Sequence, residues 1–205
     1  MKRSLLFFSF ALLVHLNVFS QTKMRDIFSA APDSIFPLLT ENNRLDCIDF
    51  IENSMEARVK NRLEGNSELK SLTSDYLYMQ VTAKSTVEMR LLSDSLFCLI
   101  QTYYGPAADS HIRFYDTLWN PVELEFSIPS VEEFWKPVPD SLKQEVAFVQ
   151  RSLQDLFLLQ ISVSKEKNEF TFTLQTSELP TKEKEIAQQY VQPLIYKWNG
   201  QRLVR

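Results

Sequence analysis

DYLYMQVTAKSTVEMRLL, residues 75–92, decides the fold. Leu77, Met79 and Val81 fall on one side of an extended chain and Tyr76, Tyr78, Gln80 and Thr82 on the other, because successive side chains of a strand point to opposite faces. Val87, Met89 and Leu91 resume the alternation after polar Lys84, Ser85 and Thr86 supply a reversal. The stretch is therefore an amphipathic hairpin whose apolar face needs cover. An uneven echo follows at residues 155–174, DLFLLQISVSKEKNEFTFTL. Setting Asp75 on Asp155 places Leu77, Met79, Gln80, Val81 and Thr82 on Phe157, Leu159, Gln160, Ile161 and Ser162. A pleat buried on one face demands this alternation, so shared physics accounts for the likeness. A duplicated helix-plus-hairpin unit is the alternative.

Outward from the first hairpin, SLFCLIQTYY (95–104) is apolar on both sides and reads as a mid-sheet strand covered on two faces. HIRFYDTLW (111–119) follows as a further strand after the loop from Gly105 to Ser110. Upstream, Asn42 and Asn43 suit a cap, and Leu45, Ile48, Ile51 and Met55 form one stripe, so residues 43–56 are predicted to be a helix lying on the sheet. Pro121, Pro129, Pro137 and Pro139 punctuate a connector holding SVEEFW, a short helical piece. Ser141 and Gln144 have capping-box spacing ahead of Leu142, Val146, Val149, Leu153 and Leu156, which predicts a helix over 140–155. Another runs from Pro180 to Val191 and stops before Pro193, and Asn199-Gly200 signals a closing two-residue hairpin. The expected fold class is α+β: antiparallel meander sheets with helices packed on one face. The expected organisation is one domain over 21–205, or two related helix-plus-hairpin lobes divided near 121–139.

Residues 1–20, MKRSLLFFSFALLVHLNVFS, set Lys2 and Arg3 before an apolar run and end on small Ser20, the order of a secretory signal peptide. Cleavage is expected before Gln21, giving a periplasmic or extracellular protein with no membrane span thereafter. The formal charge of −4 becomes more negative once Lys2 and Arg3 leave, and the remaining basic residues are scattered, which argues against a nucleic-acid partner. Cys47 and Cys98 are the two cysteines. An oxidising compartment permits a disulfide between them. Each nevertheless sits in an apolar pattern, so free, buried thiols are the preferred expectation.

Reactive constellations are scarce. With His15 in the leader, His111 is the one histidine left, and the spacing of His and Cys offers no metal site. Asp109-Ser110-His111 contains the residue types of a hydrolase triad, but chain neighbours point apart. Three glycines in the whole chain leave no phosphate-cradling loop, so no cofactor is expected. Glu132 and Glu133 are the starting point for a carboxylate pair, the basis of an alternative reading as a hydrolase of envelope or dietary glycans. Acids in a helix's first turn also serve the helix dipole, so no catalytic residue is assigned. Aromatic residues give the binding candidates. Tyr76 and Tyr78, on the polar side of their strand, and Trp119 at a strand end are the expected ligand-binding residues. The leading expectation is a non-catalytic module that binds a protein, peptide or glycan of the cell envelope.

YYGPAADSHIRFYDTLWNPVELEF (103–126) and the closing YKWNGQRLV (196–204) resemble a family of exported proteins from Bacteroidales catalogued as a domain of unknown function. The matching features are structural: a Gly-Pro turn, a strand and a Trp-Asn-Pro exit. The resemblance implies an α+β build and an envelope location, and brings no catalytic residues with it.

Overall fold

The structure is a computed structural model that describes residues 23–205. The predicted signal peptide lies outside the described residues. In chain order the elements are α1 (Met24–Ser29), α2 (Glu41–Glu52), β1 (Arg58–Lys60), β2 (Asn66–Leu72), β3 (Tyr76–Thr82), β4 (Ser85–Ser93), β5 (Leu96–Tyr104) and β6 (Ala108–Asp116). A connector with a 3-10 turn at Val131–Phe134 leads to α3 (Lys143–Asp155), β7 (Leu159–Val163), β8 (Glu169–Leu174), α4 (Thr181–Tyr190), β9 (Leu194–Trp198) and β10 (Leu203–Val204). Strands β1 to β6 form one antiparallel meander in sequence order, and β7 to β10 form a second. The fold is thus α+β with antiparallel sheets, as the alternation predicts.

The large sheet divides two cores. On one face Leu69, Leu77, Met79, Val87, Met89, Phe97 and Leu99 pack with Ile27 and Phe28 of α1, Phe36 and Leu39 of the α1–α2 connection, and Cys47 and Ile48 of α2. On the other, Cys98, Ile100 and Phe114 join a core that includes Phe134, Val149 and Leu153, and the inward faces of β7, β8 and β9. Strand β5 therefore contributes to both, as its two-sided apolar run predicts. Burying an aliphatic or aromatic side chain of this size is worth about 1.5–3 kcal/mol, so these layers supply most of the drive to fold.

Local chemistry refines five expectations. Helix α2 is capped by Thr40, whose hydroxyl accepts the Asn43 amide at 3.1 Å while the Asn43 side chain accepts the Thr40 amide, a reciprocal box one turn earlier than expected. Its buried stripe is Arg44, Cys47 and Ile48, whereas Leu45 and Met55 are exposed. Rotation of that face follows from Arg44, whose guanidinium donates to the carbonyls of Ala31 (2.6 Å) and Leu39 (3.1 Å) and to Asp33 Oδ1 (3.3 Å). These charge-assisted hydrogen bonds offset the cost of burying the guanidinium. Helix α3 begins without a side-chain cap, after a 3-10 turn at Asp140–Leu142. The closing hairpin exists, but as a four-residue loop: Asn199 Oδ1 accepts the amides of Gln201 and Arg202, and Gly200 takes a positive φ of 98°. Strand β6 starts at Ala108, inside the stretch expected to be loop.

The second sheet is seated on the first by an edge. Residues 158 and 164 bond to β8, so the alternate amides of Leu159, Ile161 and Val163 point away from it. They donate to Asp109 Oδ1 (3.3 Å), Ser110 Oγ (3.0 Å) and Glu88 Oε2 (3.2 Å), so β7 crosses the large sheet from β6 to β4. An edge strand with unpaired amides is a template for aggregation; here side chains of another sheet satisfy it. The cross-strand row Arg58, Glu68, Gln80, Thr86, Thr102 and Ser110 is polar across all six strands, and its far end lies beneath β7. Arg90 completes the seat, donating to Asn168 Oδ1 (2.9 Å) and the Lys165 carbonyl (2.7 Å) in the β7–β8 turn and pairing with Asp75 at 2.9 Å.

Candidate functional site

Helices and second sheet cover the large sheet diagonally, and on the helix-bearing face this offset leaves the β5–β6 corner bare. On the helix-bearing face, one cross-strand row runs Leu69, Met79, Val87, Gln101, His111; the next runs Leu72, Leu77, Met89, Leu99, Arg113. Each starts in the core and ends in water: Leu69, Met79 and Val87 are buried, while His111 and Arg113 are exposed. Beside them Tyr103, opposite Asp109, is 52% exposed. Gln101, Tyr103, Asp109, His111 and Arg113 thus form an open ladder on β5 and β6.

An apolar cleft of about 210 Å³ adjoins the ladder. Its walls are Ile35, Phe36, Pro37 and Leu38 on one side and Val81 and Val87 on the other, with Ser85, Thr86, Gln101 and Tyr103 completing it. Two arginines fix the first wall. Arg62 donates its backbone amide to the Leu38 carbonyl (3.0 Å), one guanidinium nitrogen to the Pro37 carbonyl (3.2 Å) and another to Asp33 Oδ2 (2.7 Å). Arg44 holds the other oxygen of Asp33 together with the carbonyls of Ala31 and Leu39. The hydrogen bond from Arg62, and then that from Arg44, keeps the Asp33 carboxyl below the usual carboxylate range. A wall held this way does not have to be ordered by whatever enters the cleft.

The expected binding residues lie elsewhere and apart. Tyr76 is buried on the face beneath the second sheet, its hydroxyl donating to Glu88 Oε2 at 3.3 Å. Tyr78 is half-buried on the same face. Trp119 is buried in the opposite core, where its indole donates to the Ile27 carbonyl at 2.9 Å and its ring meets Phe36, Phe97 and Tyr115. Its backbone is left-handed, φ 68°, in a turn held by Asp116, which accepts the amides of Leu118 and Asn120 at 2.9 Å. Such a conformation is strained for a bulky residue and persists where neighbours fix it. The Trp-Asn-Pro exit is a plug for the core, and the three aromatics make no common platform.

Other candidates are spent on structure. The pleat splits Asp109-Ser110-His111: Ser110 is buried beneath β7 with Thr102 Oγ1 at 2.8 Å, while His111 Nε2 and Asp109 Oδ2 are 3.9 Å apart on the open side. Glu133 accepts the Ser130 amide at 2.9 Å and Glu132 bonds Gln154, so both serve the connector. Cys47 and Cys98 are free and buried in the cores on opposite faces of the large sheet. Burial pushes both thiols up to about 12, which removes the thiolate needed for nucleophilic or metal chemistry. Among the described residues no group of three His, Cys, Asp or Glu side chains is placed to hold a metal ion.

The ladder was not legible: residues 95–104 read as covered on both faces, and the structure keeps Thr102 buried but leaves Tyr103, on the other face, 52% exposed. Nothing in the sequence tells which face is uncovered there, nor that residues 35–38 form the cleft's wall.

Fold and site together define an α+β protein of two antiparallel sheets, the larger with an open corner on β5 and β6. Residues 15–203 match the profile of DUF3256, a family of proteins of unknown function, and the chain belongs to that family. Its fold is similar to the solved structure of a domain of an uncharacterized protein from Porphyromonas gingivalis W83, at 25% identity and a TM-score of 0.72 over 88% of this chain and 96% of that one. No curated protein matches the chain. Among the described residues no helix is long and apolar enough to cross a membrane.

Proposed function

We propose that the protein is an exported, non-catalytic interaction module that presents the β5–β6 corner to a protein, peptide or glycan of the cell envelope. The observation that supports this most is the braced wall at 31–39 beside a bare ladder: two arginines commit their donors to holding an apolar cleft open next to exposed polar side chains. The leader-like residues 1–20 support export. The hydrolase reading needs two carboxyls facing each other across a cleft, and the residues forming this one include no acid.

The test is capture from an envelope extract by the wild-type chain and by Tyr103→Ala. A partner retained by the first and lost by the second is the expected result; a partner held equally by both sinks the assignment of the corner. N-terminal sequencing of the protein recovered from cells tests export, with Gln21 expected as the first residue.

A further inference from the structure

We propose that the corner takes an extended acidic peptide segment, one apolar side chain filling the cleft and a carboxylate resting on Arg113. This rests on the reading of the corner as a binding surface and adds the chemistry of what is bound.

Three observations carry it. The first is size. About 210 Å³ is below the roughly 300–1,000 Å³ of small-molecule sites, and leaves room for one side chain. Walls of Ile35, Phe36, Pro37, Leu38, Val81 and Val87 select an apolar one. The second is charge. Asp109 is engaged, Oδ1 accepting the Leu159 amide and Oδ2 facing His111, whereas the exposed Arg113 has no ion pair or side-chain hydrogen bond among the described residues. The ladder therefore ends on an uncommitted guanidinium, whose fork suits a carboxylate.

The third observation is spacing. Arg113 is opposite Leu99, two residues along β5 from Gln101 at the cleft. Two residues of strand span about 7 Å. An extended peptide repeats its own side chains at the same interval, so an anchor in the cleft sets an acid two or four residues away over Arg113. A sugar chain has no apolar side chain of that kind to place in the cleft.

The test uses titration of the isotopically labelled protein with capped Ser-Phe-Ser-Glu-Ser-Glu-Ser, followed by amide NMR shifts. Shifts are expected at residues 35–38, Gln101, Tyr103, His111 and Arg113. Replacing both glutamates by lysine, replacing the phenylalanine by serine, or using Arg113→Ala should each raise Kd at least tenfold. Equal binding of the lysine peptide, or no effect of Arg113→Ala, overturns the acidic assignment. If Tyr103→Ala still abolishes such charge-blind binding, the corner itself stands as a binding surface. Absence of shifts with all the peptides, or shifts at the corner only with maltohexaose, also overturns the peptide assignment. Partner capture with Tyr103→Ala then judges the corner separately.

Discussion

On the helix-bearing face of the large sheet, Leu77, Met79, Met89 and Phe97 are met by apolar side chains of the helices and their connection. On the opposite face Glu88, Ser110 and Arg90 are met largely by backbone: two amides of β7 and the Lys165 carbonyl of its turn. The first contact is a matter of area and tolerates shape-preserving change. The second is a matter of pairing, where each lost partner strands a buried polar group. One sheet thus carries a non-directional core on one side and, on the other, a second core to which a directional seat is added. The seat fixes where the second sheet lies, and with it which corner of the first stays bare.

If that contrast holds, the largest loss of stability belongs to the apolar side. Phe97 is fully buried, stacks on Tyr115 at 5.7 Å and meets Trp119 edge-on at 4.8 Å. Phe97→Ala should cost about 3–5 kcal/mol, read by urea denaturation, with the whole molecule losing stability together. A cost under about 1 kcal/mol would mean the helices are not what this face needs.

Arg90→Met comes next. Methionine keeps the apolar stem but leaves the Lys165 carbonyl and the Asn168 side chain without their donor, at about 2–3 kcal/mol. Hydrogen exchange should show this locally: faster exchange at Ile161 and Val163, with Met79 and Met89 still protected. Uniform loss of protection would show that the two sheets are one cooperative unit and would blunt the distinction between core and seat.

Glu88 gives the smaller, pH-dependent effect. Burial raises its carboxyl above the usual value of 4.5, opposed by the Val163 amide and then the Tyr76 hydroxyl. Its surroundings also include Tyr78 on β3, and the guanidinium of Arg90 belongs to the same strand face. A raised carboxyl means the folded state binds the proton more readily than the unfolded one. Its contribution is therefore fully present below pH 4.5 and is lost as pH rises through the folded value. Glu88→Gln keeps an acceptor and should remove this decline, making the stability–pH curve flatter just above pH 4.5 than the wild type's. Glu88→Ala strands the Val163 amide and should cost about 1–2 kcal/mol. A wild-type curve with no such decline would place Glu88 in water.

The asymmetry also explains what could be read from the chain. Period-two alternation identified β3, β4, β7 and β8, because Leu77, Met79, Ile161 and Phe172 face cores and a slip of one residue would put them in water. The same rule marks Glu88, Arg90 and Ser110 as solvent residues, since alternation reports polarity and not what will cover it. Burial of a polar face depends on a second sheet distant in sequence that aims its amides there. The alternation is silent on β1 and β2 for a related reason: β1 has three residues, and in β2 Asn66, Glu68 and Lys70 leave little apolar signal. The site depended on both coverings at once. Tyr103 and Tyr76 are alike as sequence, yet one is 52% exposed and the other 7%, because the coverings are offset.

Helix α2 offers the finest test, since the sequence and the structure put different residues inward. Leu45 shares a stripe with Ile48 and Ile51, yet it is 40% exposed, while Arg44 beside it is 3% exposed. Leu45→Lys should therefore change stability by no more than about 0.5 kcal/mol, as for an ordinary surface position, in the same urea titration that reads Phe97→Ala. A loss of 2 kcal/mol or more, about what removing a leucine from a core costs, would mean that α2 is rotated toward its leucine. Arg44 would then turn outward and release Asp33, Ala31 and Leu39. The cleft wall would lose one of its two braces, so this position bears on the open β5–β6 corner as well as on the helix.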